Sequence, residues 1–143
     1  MPTKSTKVKA SKVFSEDEKD AMMARAREVK LGDADQEGAV LEKIAGMPPA
    51  DRALGERFHA LVKASAPALT PRLYYGMPAY ARNGKVVVHF KAADKFKMRY
   101  ATLEFSDPAH LDEGTLWPVA YALKQWSPAN EAKIRALVKQ AAG

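Results

Sequence analysis

The four residues Arg82-Asn83-Gly84-Lys85 constrain this chain more than any other feature. A two-residue type I′ turn needs positive φ at both central positions, and Asn-Gly accepts that geometry readily. Apolar residues alternate on both sides of the turn, which predicts an antiparallel hairpin. Arg82 then faces Lys85, Ala81 faces Val86, Tyr80 faces Val87 and Ala79 faces Val88. Side chains alternate across a sheet, so Ala79, Ala81, Val86, Val88 and Phe90 share one apolar face, expected to be core. Tyr80, Arg82, Lys85, Val87 and His89 share the other. That second face reads either as a partly solvated sheet surface or as a recognition surface of tyrosines and cations.

Helices are expected before the hairpin. Ser15-Glu16-Asp17-Glu18 has the form of a capping box, and the helix it opens runs until Gly32. A second helix is expected from about Asp35 to Ala45, with Val40, Leu41 and Ile44 on one face. After the Met47-Pro48-Pro49 break a third helix carries Leu54, Phe58, Leu61 and Val62 at helical spacing. Beyond the hairpin, residues 97–105 read as a third strand and 115–123 as a fourth, with Pro118 confining the latter to an edge or a bulge. Ser127-Pro128 opens a closing helix whose Ile134, Leu137 and Val138 face the core. The expected fold is α+β: N-terminal helices, an antiparallel sheet of about four strands, and a C-terminal helix packed on it. Residues 1–14 read as a disordered basic tail. Residues 15–143 read as a single domain, with 15–34 a helical extension and 35–143 the core.

With 143 residues the chain is long enough for one sizeable core. It has no cysteine, which excludes disulfides, thiolate nucleophiles and Cys-ligated metal sites. Neither a membrane-spanning apolar run nor the apolar core of a secretory signal is present, so a cytoplasmic protein is expected. The net charge of +6 is unevenly spread. Residues 15–60 hold eleven acids against seven bases, whereas residues 61–143 hold twelve bases against six acids. The basic tail and the segment Lys91–Tyr100, which interleaves cations with aromatics, make nucleic acid a conceivable partner. No RRM or helix-turn-helix signature supports it.

Catalytic signals are thin. His59, His89 and His110 show no metalloprotease spacing, no serine sits in a G-x-S-x-G elbow, and phosphate-binding glycine loops are absent. His110 with Asp107 and Asp112 offers a conceivable metal site. So do the acids Glu16, Asp17, Glu18, Asp20, Glu28, Asp33, Asp35 and Glu37, although acids at a helix start also serve the helix dipole. No enzyme is expected.

The run Tyr75-Gly76-Met77-Pro78-Ala79-Tyr80 needs its own account: glycine permits a turn and proline withholds a ladder donor, so the chain bends just before the hairpin. This run, with Asn83-Gly84-Lys85, Lys95-Phe96-Lys97, Arg99-Tyr100-Ala101-Thr102-Leu103, residues 112–118 and Ser127-Pro128, resembles the YdhG-like domain family of small bacterial proteins. The similarity covers roughly residues 36–142. It implies a compact α+β domain, mostly of unknown function, some members of which are described as frataxin-like iron chaperones. Iron is therefore a possible cargo by resemblance, with no residue set that carries over. From the residues themselves the expected activity is non-enzymatic binding of a small anionic or aromatic molecule, or a peptide, in a cleft beside the Gly-Met-Pro corner. The lining expected for it is Tyr75, Met77, Tyr80, His89, Arg99, Tyr100 and Trp117. A nucleic-acid-associated accessory protein is the alternative, and the chain is expected to be a monomer or a homodimer.

Overall fold

A computed structural model describes the backbone of residues 16–28 and 33–143. The basic tail, the Ser15 cap and the Gly32 stop lie outside the described residues. Three helices come first: α1 (Glu16–Glu28), α2 (Asp33–Ala45) and α3 (Pro49–Ser65). Five strands follow: β1 (Thr70–Tyr74), β2 (Met77–Arg82), β3 (Lys85–Lys91), β4 (Ala101–Phe105) and β5 (Ala120–Leu123). Helix α4 (Pro128–Ala142) closes the chain. The strands form one antiparallel sheet in the order β1-β2-β3-β4-β5. The α+β expectation is met, with five strands where about four were read.

The added strand is β1, and it changes what the Gly-Met-Pro corner is. Tyr74 pairs with Met77, which leaves a two-residue loop of Tyr75-Gly76. Both loop residues have positive φ, 50° at Tyr75 and 80° at Gly76. Asn83 and Gly84 show the same geometry at 52° and 79°. Two hairpin turns of one kind thus stand at opposite ends of β2, where the sequence suggests a bend followed by a hairpin. Pro78 is the second residue of a paired strand, across from Leu73.

The hairpin register needs a further correction. Arg82 pairs with Lys85 and Ala81 with Val86, as expected. Between Tyr80 and Ala81 the register shifts, so that Tyr80 pairs with Val88 and Ala79 with His89. Val87 is the extra residue of a β-bulge, which reverses the alternation beyond it. Tyr80 therefore joins Val88 and Phe90 on the core face, while Ala79 shares the opposite face with His89. Tyr80 and Val87 are both fully buried rather than open.

The core lies between that face and the helices. Leu54, Phe58, Leu61 and Val62 of α3, and Ile134, Val138 and Ala141 of α4, pack on Tyr80, Val88, Phe90 and Leu103. Phe58 meets Tyr80 edge to face, with ring centroids 5.4 Å apart. Val40 and Ile44 of α2 close over Leu73 at the β1 end. Ser127 caps α4 by accepting from the Asn130 amide, with Pro128 in the first turn.

Both strands after the hairpin are shorter than read. The chain enters β4 only at Ala101, because residues 92–100 form a loop in which Lys97 has φ 55°. The chain enters β5 at Ala120, two residues after Pro118. Among the described residues no helix is long and apolar enough to cross a membrane.

Candidate functional site

A cleft of about 750 Å³ opens at the β1–β2 turn. Gly76, Met77 and Pro78 form one wall, with Leu73 and Phe90 of the sheet behind them. The second wall is the end of α2 and the break after it: Ala39, Gly46, Met47 and Pro48. The third is the start of the β3–β4 loop, with Ala92 and Phe96. Charges lie on two of these walls, Glu42 and Lys43 on α2, Asp94 and Lys95 on the loop. Lys91 and Lys95 both approach the Phe96 ring, at 5.1 and 5.8 Å from its centroid. The volume falls within the range of small-molecule sites, and most of the walls are apolar.

Two of the walls are held by polar contacts. The buried Asp51 carboxylate, at the start of α3, accepts from the Ala93 amide at 3.2 Å and the Asp94 amide at 3.0 Å. Two backbone bonds to one carboxylate thus fix the loop that carries Lys95 and Phe96. Gly76 lies so near Lys95 that a Cβ there would come within 2.8 Å of Nζ. The α2 wall is tied down through His59, whose Nδ1 meets the Tyr80 hydroxyl at 3.0 Å and whose Nε2 meets Glu37 at 3.2 Å. Lys63 donates to the same Glu37 carboxylate at 3.0 Å.

Burial dominates the titration of this chain of groups. Tyr80 is pushed well above the usual phenol range, first by desolvation and then by the charge of Glu37. His59 is pushed down by burial, against the opposing pull of Glu37. Glu37 is held down chiefly by its hydrogen bond from Lys63. The arrangement is a neutral phenol and imidazole ending in a surface ion pair, and it joins β2, α3 and α2.

The residues expected at a site do not converge. Met77 lines the cleft, and Tyr80 lies in the core beneath the sheet. Tyr75 sits in the turn, 41% exposed, with its ring edge-on to Tyr74. His89 lies on the far face of the sheet, tilted against the Tyr74 ring, with Nε2 3.3 Å from Glu104. Its Nδ1 is buried and makes no hydrogen bond, and burial pushes its pKa down. Arg99 lies over Tyr100 in the β3–β4 loop, and Trp117 packs half-buried against the core.

The residues that sequence reasoning missed are Met47, Pro48, Ala39 and Phe96. The Met47-Pro48-Pro49 break was read as punctuation, yet a chain break beside a sheet end is where a cleft wall forms. The imidazole of His110, offered above to a metal, instead lies 2.9 Å from Arg82 Nη2. That guanidinium also donates to the Pro108 and Ala142 carbonyls, which docks the end of α4 on the hairpin. Among the described residues no three His, Asp or Glu side chains gather in a metal-holding group, so the iron cargo implied by resemblance finds no donor set there. Comparison of the chain with protein-family models, with curated proteins and with solved structures finds no match.

Proposed function

We propose that this chain is a small-ligand-binding protein of the YdhG-like kind, and that its ligand sits in the cleft at the Tyr75-Gly76 turn. One observation carries the reading: a cleft of about 750 Å³ walled by Met47, Met77, Phe96 and Leu73 opens at the corner that sequence reasoning singled out. Apolar walls reward a compact aromatic or aliphatic body, because burying it removes apolar surface from water. Lys43 and Lys95 offer donors for one anionic group, and Glu42 and Asp94 balance them. Charge there orients a ligand more than it attracts one from a distance.

The test is a thermal-shift screen of small aromatic and aliphatic carboxylates. A ligand at a hundred times its dissociation constant stabilises the fold by about 2.7 kcal/mol. Phe96→Ala and Met77→Glu should remove that shift. If both variants keep native circular dichroism and every wild-type shift survives in them, the cleft reading fails. A second reading, nucleic-acid association, rests on the exposed Lys95, Lys97 and Arg99 of the β3–β4 loop. It is the weaker one, because the Phe96 and Tyr100 rings already carry Lys95 and Arg99 of the loop itself. A gel shift that weakens steeply with salt would support it, and the absence of any shift would end it.

A further inference from the structure

The sheet has an edge at β5, and the backbone there is aimed outward in a definite way. The Phe105 amide donates to the Val119 carbonyl at 2.7 Å, while Leu103 lies opposite Tyr121 and Ala101 opposite Leu123. In an antiparallel ladder, residues bonded to the neighbouring strand alternate with residues that are not. Val119, Tyr121 and Leu123 therefore spend their N–H and C=O groups on β4. Ala120 and Ala122 point theirs away from the sheet.

Beside that row lies a groove of about 130 Å³ between β5 and α4. Its floor is Leu103, Tyr121 and Leu123, and its far wall is Ile134 and Leu137. Lys133, whose Nζ lies 5.8 Å from the Tyr121 ring centroid, is the one charged residue among those lining it. Lys124 is exposed at the end of the strand. Just before the strand, Leu116 is 91% exposed and Val119 45% exposed. An outward-facing ladder, a pocket for one apolar side chain and an apolar approach are the components of strand addition, in which an extended peptide pairs with a sheet edge.

We propose that β5 is a docking edge for an extended peptide segment of a partner protein. The segment carries an apolar side chain that drops between Tyr121 and Leu137, and an acidic group that meets Lys133. The charge on the page selects this occupant. A groove with one lysine and no acid complements a carboxylate. The proposal is independent of the cleft, which lies at the β1 end of the sheet.

The probe is a displayed library of random linear heptapeptides selected on the whole chain, with enriched sequences remade as labelled peptides for fluorescence anisotropy. Enriched peptides should share an apolar residue near an Asp or Glu and lack an internal proline. Ala122→Pro removes one outward N–H without taking a bond from β4, and should weaken binding tenfold or more. Lys133→Glu, an exposed change that leaves the ladder intact, should reverse the preference from acidic to basic peptides. The proposal is overturned if no peptide is enriched, or if enriched peptides bind both folded variants as they bind the wild type. It is equally overturned if sedimentation shows a dimer that Ala122→Pro dissociates, since the edge is then occupied by a second copy.

Discussion

Asp51→Asn tests whether one buried carboxylate shapes the cleft. The substitution keeps the size of the side chain, which is 5% exposed, but replaces one acceptor oxygen with an amide donor. One of the two backbone amides now bonded to it, Ala93 at 3.2 Å or Asp94 at 3.0 Å, then faces a group that cannot accept. Hydrogen bonds to charged groups contribute roughly 1.5–3 kcal/mol, and an orphaned buried donor falls in a similar range. We expect a loss of about 2 kcal/mol in urea-induced unfolding, with the denaturant slope unchanged. A chain of this size should show a fall in melting temperature of roughly 4–8 °C for that loss. Hydrogen exchange supplies the local readout, because the Ala93 and Asp94 amides should lose protection while the β3 amides keep theirs. Ligand shifts that depend on Phe96 should shrink in the same variant. Unchanged protection at Ala93 and Asp94, or a stability loss below about 0.5 kcal/mol, would refute the claim that Asp51 holds the loop.

Two further outcomes follow from the buried polar groups. Tyr80→Phe leaves the Phe58 edge contact in place but strips the hydroxyl from His59 Nδ1, and should cost about 1–3 kcal/mol in equilibrium unfolding. A neutral result would mean that His59 finds another partner. His59 and His89 both have pKa values lowered by burial, so the folded state binds fewer protons than the unfolded chain. Their contribution to stability is complete above the unfolded histidine value of about 6.5 and is lost as pH falls below it. Urea midpoints measured from pH 8 to 5 should be flat at first and then decline below about 6.5, and His59→Gln combined with His89→Gln should remove that decline.

Much of the architecture was legible because local chemistry and tertiary demand agree. Asn83-Gly84 can hardly be anything but a turn, Ser127-Pro128 starts a helix, and the spacing of Leu54, Phe58, Leu61 and Val62 marks a buried face. The rest depended on facts that have no local signature. Tyr75-Gly76 is a hairpin turn of the same kind, but tyrosine is a poor advertisement for positive φ, and Pro71 and Pro78 disguise the strands on either side. The bulge at Val87 is invisible in a run of three valines, any of which fits either face of a sheet. One extra residue was enough to move Tyr80 from the open face to the core and Ala79 in the opposite sense. A cleft opens at the Gly-Met-Pro corner, and of the residues named for a site Met77 alone is among its lining, since residues adjacent in the chain alternate faces. Its actual walls come from α2, the break after it and the β3–β4 loop.

The way those walls are held has a consequence for binding. Apolar packing tolerates small shifts, whereas a buried hydrogen bond loses most of its value when its partner moves or turns. The loop wall is positioned by Asp51 and the α2 wall by the Tyr80–His59–Glu37–Lys63 chain, so the width of the cleft is set by polar geometry. The turn wall is set by backbone conformation, with two successive residues at positive φ. None of the three would have to be organised by the ligand proposed for it, so little ordering entropy would oppose entry. Binding should therefore be selective for shape, and variants that loosen Asp51 or Tyr80 should lose ligand affinity although neither residue lines the cleft.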